Sequence, residues 1–152
     1  MAGPNSGAEC ILAYNSGSFA SPTWTTITRA VDVDWDAPVT WGNISSRFSL
    51  WAMETKALQG LTVNFGYRRR AGVSDSVFTA IRGYAFGART KQELAIADGV
   101  IATTGTQYIR ATYQFEMGRT EPLEDGCQDN FSAHLTYEED SGTGREPAWT
   151  VV

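Results

Sequence analysis

An apolar–polar alternation of period two, repeated in three long segments, constrains this chain more than any other feature. From Leu61 to Tyr67 the apolar set is Leu61, Val63, Phe65 and Tyr67, with Thr62, Asn64 and Gly66 between them. Ile109, Ala111, Tyr113, Phe115 and Met117 alternate with Arg110, Thr112, Gln114 and Glu116. Phe131, Ala133, Leu135 and Tyr137 alternate with Ser132, His134 and Thr136. Successive strand side chains point to opposite faces, so each segment reads as a strand with one buried and one polar face. Shorter strand candidates lie at 10–14, 24–28, 30–35, 48–53, 93–97 and 148–152, where Thr and aromatic residues suit a pleated surface.

Only one segment has helical spacing. Val77, Phe78, Ile81, Tyr84 and Ala85 share a stripe, Ser74 or Asp75 can cap its start, and Gly87 can end it. A helix over about 74–86 is predicted, and its stripe must pack on a sheet. The expected fold is therefore mainly β: a sandwich or partly closed barrel with one flanking helix. A long loop is expected at about 36–47, carrying Pro38, Gly42 and a large apolar Trp41. Either Trp41 folds back on the core or it anchors a partner from a projecting loop.

The 152 residues suit a single domain spanning 1–152, with residues 1–8 as a flexible N-terminal arm. A chain of this length buries enough surface to need no metal or disulfide framework. Cys10 and Cys127 are expected either as one bridge or as two buried thiols. The longest apolar runs are short and the N-terminus lacks the basic and apolar regions of a signal peptide, so neither membrane spanning nor Sec export is expected. A net charge of −5 argues against a duplex-DNA binder held by phosphate contacts, while leaving DNA possible as a passing cargo. Ten of the twelve basic residues are Arg, a bias found where chains meet and also in GC-rich genomes.

Enzyme readings fail on inventory. The one histidine, His134, has no Cys or Glu at ligand spacing in the sequence, and no nucleophile elbow or phosphate-cradling glycine loop is present. No catalytic residue, metal, cofactor or small-molecule ligand is expected. Asp32, Asp34 and Asp36 alternate with Val31, Val33 and Trp35, which places three carboxylates on one strand face. Three readings stay open for them: part of a calcium site, an acidic wall past which a polyanion moves, and a solvated edge strand guarded by charge. Arg68, Arg69 and Arg70 follow one strand signal, and Glu138, Glu139 and Asp140 follow another. Such runs at strand ends can pair between neighbouring subunits.

Several blocks in consistent order carry a family resemblance: 13–27 (AYNSGSFASPTWTTI), 78–82 (FTAIR), 94–99 (LAIADG), 103–107 (TTGTQ), 120–126 (TEPLEDG) and 146–152 (EPAWTVV). Over nearly the full chain the sequence resembles the tail tube, or major tail, proteins of long-tailed bacteriophages and prophages. Residues 36–56 depart most from that pattern. The resemblance implies a β-sandwich with a flanking helix, assembled as hexameric rings that stack into a hollow tube guiding DNA during ejection. It implies a structural protein of the virion tail, assembled in the host cytoplasm, with other copies of itself and other tail proteins as partners.

On that reading the lumen face draws on Thr62, Asn64, Thr112, Gln114, Glu116, Ser132, His134 and Thr136, or alternatively on Asp32, Asp34 and Asp36. Ring-to-ring contact falls on residues 1–8 and on 36–47 around Trp41, Asn43 and Ile44. Subunit neighbours meet through Arg68, Arg69, Arg70, Glu138, Glu139 and Asp140. Two rivals remain: a ring-forming tail terminator or decoration protein, and a carbohydrate-binding module using Trp24, Trp35, Trp41, Trp51 and Trp149 as sugar platforms.

Overall fold

The computed structural model describes residues 11–47, 50–69, 72–87, 90–120, 128–137, 139–140 and 143–152. In chain order these form β1 (Ile11–Asn15), β2 (Trp24–Thr26), β3 (Ala30–Asp36), β4 (Val39–Asn43), β5 (Glu54–Gln59), β6 (Thr62–Tyr67), helix α1 (Ser76–Phe86), β7 (Gln92–Ala97), β8 (Gln107–Thr120) and β9 (Gln128–Leu135). The short β10 (Glu139–Asp140) and β11 (Thr143–Gly144) and then β12 (Ala148–Val151) complete the order. Cys10, Cys127 and the expected arm at 1–8 lie outside the described residues.

The longest alternation in the sequence becomes β8, which organises the antiparallel main sheet. The strand order is β2-β1-β7-β8-β9-β6-β3, with β12 also paired to β8. One edge of β8 takes β7 over Tyr108–Tyr113. The other takes β12 over Gln107–Arg110 and then β9 over Tyr113–Thr120. A strand shared in this way turns one sheet into two wings around the main core, as at the corner of a sandwich, with a second small cluster of Ala95, Ala97 and Tyr108 beside it. Among the described residues the sheet does not close, since β2 and β3 remain its ends.

Register fixes what each face carries, because directly opposed residues point the same way. On the inner face Val63, Ala133 and Phe115 form one row, and Phe65, Phe131 and Met117 the next. Phe65 stacks on Phe131 at 5.2 Å between centroids. Helix α1 covers these rows with its expected stripe. Phe78 and Ile81 are buried, Phe78 lies 5.4 Å from Tyr67, and Tyr84 meets both Tyr14 and Phe115 at 6.0 Å.

Of the two candidate caps, Asp75 takes the role: its Oδ1 accepts from the Phe78 N–H at 3.1 Å. At the other end the Gly87 N–H donates to the Gly83 carbonyl at 2.8 Å. Gly87 has no need of a left-handed backbone; a Cβ there would collide with the Thr90 hydroxyl. Burial disfavours the Asp75 anion, but the Tyr67 hydroxyl (2.6 Å), the Phe78 N–H and Arg29 together outweigh burial and hold its carboxyl below the usual range.

The block at 13–27 proves to be a braced loop. Asn15 Oδ1 accepts from the Gly17 and Thr23 N–H groups, both at 2.9 Å, while its Nδ2 donates to the Ser18 carbonyl and to Glu93 Oε1. Glu93 in turn holds Arg110 in a fork of 2.9 and 2.7 Å, and Arg110 donates to the Phe19 carbonyl and lies over the Phe19 ring at 4.3 Å. The charge pair is nearly dry, with side-chain exposures of 16% for Arg110 and 8% for Glu93.

Two expectations are corrected. The segment at 36–47 is no wholly irregular loop: Val39–Asn43 within it forms β4, which pairs with β5 as a separate two-stranded hairpin. The ladder skips Ala57, pairing Thr40 with Leu58 and Trp41 with Lys56, so the alternation changes face mid-strand and reads as aperiodic. Of the strand expected at 48–53, residues 50–53 belong to the connection at the hairpin's end. The expected stripe of three Asp is also broken. A bulge lies between Val31 and Asp34, where Asp32 has φ of 51°, so Asp34 and Asp36 share a face and Asp32 leaves the alternation.

Two measurements check these interactions. Asp75→Ala should destabilise the fold by about 1–2 kcal/mol at pH 7, through loss of the cap and of the acceptor for Tyr67. Because the folded carboxyl is held below its ordinary value of 3.8, its ionic contribution is complete above about pH 4 and fades as pH falls through the folded value. Urea melts of both proteins from pH 7 down to 2 should therefore converge in acid; a constant gap would remove the ionised carboxylate from the account. Glu93→Ala, which strands the Arg110 guanidinium, should cost about 3 kcal/mol in the same assay.

Candidate assembly surfaces

The outer face of the β3-β6-β9-β8 wing is polar because the residues opposite the core aromatics are polar. Register arranges them in two rows: Asp36, Thr62, His134 and Gln114, then Asp34, Asn64, Ser132 and Glu116. The two alternatives weighed from sequence thus fall on one face: Asp34 and Asp36 extend the rows that contain Thr62 and Asn64. These rows hold three carboxylates and no Lys or Arg. Neighbouring strands lie about 4.8 Å apart, so short side chains bridge them. Ser132 Oγ donates to Asn64 Oδ1 at 2.5 Å, and His134 Nε2 lies 3.2 Å from Glu116 Oε1. The Glu that His134 lacks in sequence is supplied across the ladder, a pairing that strand order alone determines.

Thr136 continues this face, its Oγ1 bonding Gln114 Oε1 at 3.5 Å. Thr112 differs: it is opposite Glu93 and only 4% exposed, so it presents no surface in the isolated subunit. The third row is floored by Gly66 and Gly118, which leaves a shallow depression of about 450 Å³ bordered by Asp32, Glu116, Gln128 and Asn130. Among the described residues no group of three or more His, Cys, Asp and Glu gathers as metal ligands would. No helix is long and apolar enough to span a membrane among them.

The β4–β5 hairpin forms an arm. Among the described residues its strands pair only with each other, and all six residues of β5 are exposed. Trp41 is 57% exposed, and Ile44, Leu50 and Trp51 cluster exposed toward the tip. The tip is tied rather than loose: the Met53 N–H donates to Ser45 Oγ at 2.7 Å, and the Ile44 N–H to the Met53 carbonyl at 3.0 Å. Sequence reasoning singled out Trp41, Asn43 and Ile44 for this contact but missed β5, and it read Leu50 and Trp51 as part of a strand, with Trp51 otherwise only a sugar platform. Their signal was a run of large apolar residues without a face to bury them.

β3 is an edge strand, and its bulge, its left-handed Asp32 and its carboxylates are devices that discourage indiscriminate pairing. Of the charged runs, Arg70 and Glu138 lie outside the described residues. Arg68 Nε donates to Gln128 Oε1 at 3.3 Å and Arg69 lies over the Phe78 ring at 4.7 Å. β6 and β9 are antiparallel, so Arg68 and Arg69 leave the sheet where β9 begins, while Glu139 and Asp140 follow where it ends. Among the described residues, Arg68 and Arg69 therefore stand at the opposite end of this strand pair from Glu139 and Asp140. The five Trp are likewise dispersed: Trp24 packs on Tyr108, Trp35 meets Trp149 at 69°, and Trp41 and Trp51 belong to the arm.

No protein-family model matches the sequence, nor does any curated protein sequence. The fold does have solved counterparts. A chain of the SPP1 tail tube superposes with a TM-score of 0.68 at 11% identity, covering 87% of this chain and 76% of that one. A chain from the tail of the empty gene transfer agent particle, a tail of C6 symmetry, gives 0.68 at 8% identity and covers 96% of this chain and 98% of that one. A chain of the anti-feeding prophage baseplate gives 0.52 at 8% identity over 99% and 98%. The chain shares the fold of these tail proteins over 87–99% of its length.

Proposed function

We propose that this chain is a structural subunit of a virion tail: it forms hexameric rings that stack into a hollow tube, through which DNA passes during ejection. The observation that carries this reading is the arm, a hydrogen-bonded hairpin with an apolar tip and no core of its own, on a fold whose solved counterparts are tail components. Monomers rarely expose so much clustered apolar surface without a partner for it. The sixfold symmetry of the gene transfer agent tail supports hexameric rings here.

The polar rows suit the lumen in this arrangement. DNA in transit must not be held, and each phosphate neutralised by a cation adds affinity. A wall carrying Asp34, Asp36 and Glu116 repels the backbone, while Thr62, Asn64, Gln114, Ser132, His134 and Thr136 keep it wetted. The contact between rings falls to the arm, with Trp41, Asn43 and Ile44 in it. Neighbours within a ring bring Arg68, Arg69 and Arg70 of one subunit toward Glu138, Glu139 and Asp140 of the next, which the opposite placement of the runs permits. Tube assembly would follow synthesis in the host cytoplasm. No catalytic step is assigned.

Electron microscopy of the concentrated protein should reveal long hollow filaments, and replacing 44–53 by an Asn-Gly turn should abolish them while leaving the folded subunit. Discrete rings that never lengthen would favour a terminator, and particles that stay monomeric at every concentration would overturn the reading. The lumen assignment has its own check. Tubes of the triple variant Asp34→Lys, Asp36→Lys, Glu116→Lys should retain nuclease-protected DNA with strong salt dependence, whereas wild-type tubes retain none. DNA that binds the variant but stays open to nuclease would place these rows on the outside.

A further inference from the structure

The inner face of the sheet is not covered throughout by α1. Beside the root of the arm it opens as a groove of about 620 Å³, with Leu61 and Ile109 as its floor, Leu135, Trp35 and Trp149 as walls, and Glu146 on the rim. Trp35 and Trp149 meet edge-to-face at 6.4 Å across the mouth and remain 41% and 63% exposed, an incomplete wall of aromatic surface. We propose that this groove receives the arm tip of a second copy of the chain. The inference rests on the tube reading and specifies where the arm lands.

The chain's own tip cannot occupy the groove. Ala37 and Gly60, which flank the arm, both line it, and the Gly60 N–H closes the base of the arm on the Pro38 carbonyl at 2.8 Å. From there a paired hairpin rises about 3.3 Å per residue, which carries the tip some 15–20 Å away, and its ladder prevents it from doubling back. The tip matches the groove in chemistry. Leu50 and Trp51, 104% and 81% exposed, offer the apolar knob, and exposed Arg47, three residues before Leu50 in the same connection, offers a cation to exposed Glu146.

A knob at one end of an element and its socket at the other make a head-to-tail contact, which repeats as an open stack when its rotation does not close into a ring. A few tip side chains bury well under the roughly 800 Å² per partner of a stable pair. A lone subunit should therefore dock only weakly, and a ring presenting all its tips at once should dock tightly through effective concentration.

The test uses filament formation by the full chain. Two groove variants, Trp149→Asp and Glu146→Arg, and one tip variant, Leu50→Asp, should each melt near the wild-type temperature yet form no filaments where wild type does. Adding Arg47→Glu to Glu146→Arg should restore them. Mixing the groove variant with the tip variant should give stacks only two layers deep, since each layer keeps one working partner surface. Groove variants that polymerise as wild type does, while the tip variant fails, would overturn the socket and leave the tube standing. If Trp149→Asp does not fold, the Glu146 and Arg47 swap decides; failure of the swap to rescue overturns the proposal. Wild type that never polymerises overturns both readings.

Discussion

The whole structure depends on the ladder that joins β8, β9 and β6. Once Phe115 opposes Ala133 and Ala133 opposes Val63, every second residue on three strands is committed to the inner face and every other one to the outer. A slip of one residue would expose Phe65, Phe131 and Phe115 and bury Asn64, Ser132 and Glu116. That penalty makes the register unambiguous. It also makes the outer face a consequence of the core: the polar rows are straight and evenly spaced because the aromatic rows behind them are. Helix α1 completes the inner layer through Phe78 and Ile81, with its orientation set where Asp75 joins the helix start to Tyr67 at the end of β6.

This dependence explains which parts of the fold were legible in the sequence. The three alternating segments and the helical stripe were readable because each buries one face, and burial is what writes a period into a sequence. β4 and β5 bury neither face, so they carry no period, and the skipped Ala57 scrambles what alternation remained. The Asp stripe failed differently. Its alternation is plain in the sequence, but the bulge at Asp32 changes parity; Asp tolerates a left-handed backbone, yet with Asp at 34 and 36 as well the residue type does not mark which position bulges. The unity of the two polar sets was hidden for a third reason. It follows from β3 pairing with β6, and pairing order is a long-range fact that local patterns do not contain.

The solved counterparts share 8–11% identity with this chain, yet their TM-scores reach 0.68. Such persistence is expected where the requirement on each strand is binary, since apolar residues of similar volume substitute for one another. The less forgiving elements are local. Asn15 satisfies two backbone N–H groups and two acceptors at once, and Glu93 with Arg110 locks that loop to β7 and β8. A buried charge pair adds little net stability compared with apolar packing, and its value lies in admitting one geometry. The block at 13–27 therefore shapes a braced loop.

In the proposed tube the subunit must meet its neighbours in two incompatible ways: a contact that closes around the axis and one that repeats along it without end. A single flat surface serves both poorly, because optimising one rotation spoils the other. This chain separates the tasks in space. The sandwich carries Arg68 and Arg69 at one end of the β6–β9 pair and Glu139 and Asp140 beyond the other, suited to fixing the angle between neighbours, and the arm stands apart on its own ladder with an apolar tip. Because the arm shares no core with the sandwich, its sequence is free to vary without disturbing the ring. Specificity between successive rings is then set where the fold imposes least, at the tip side chains and whatever surface they meet.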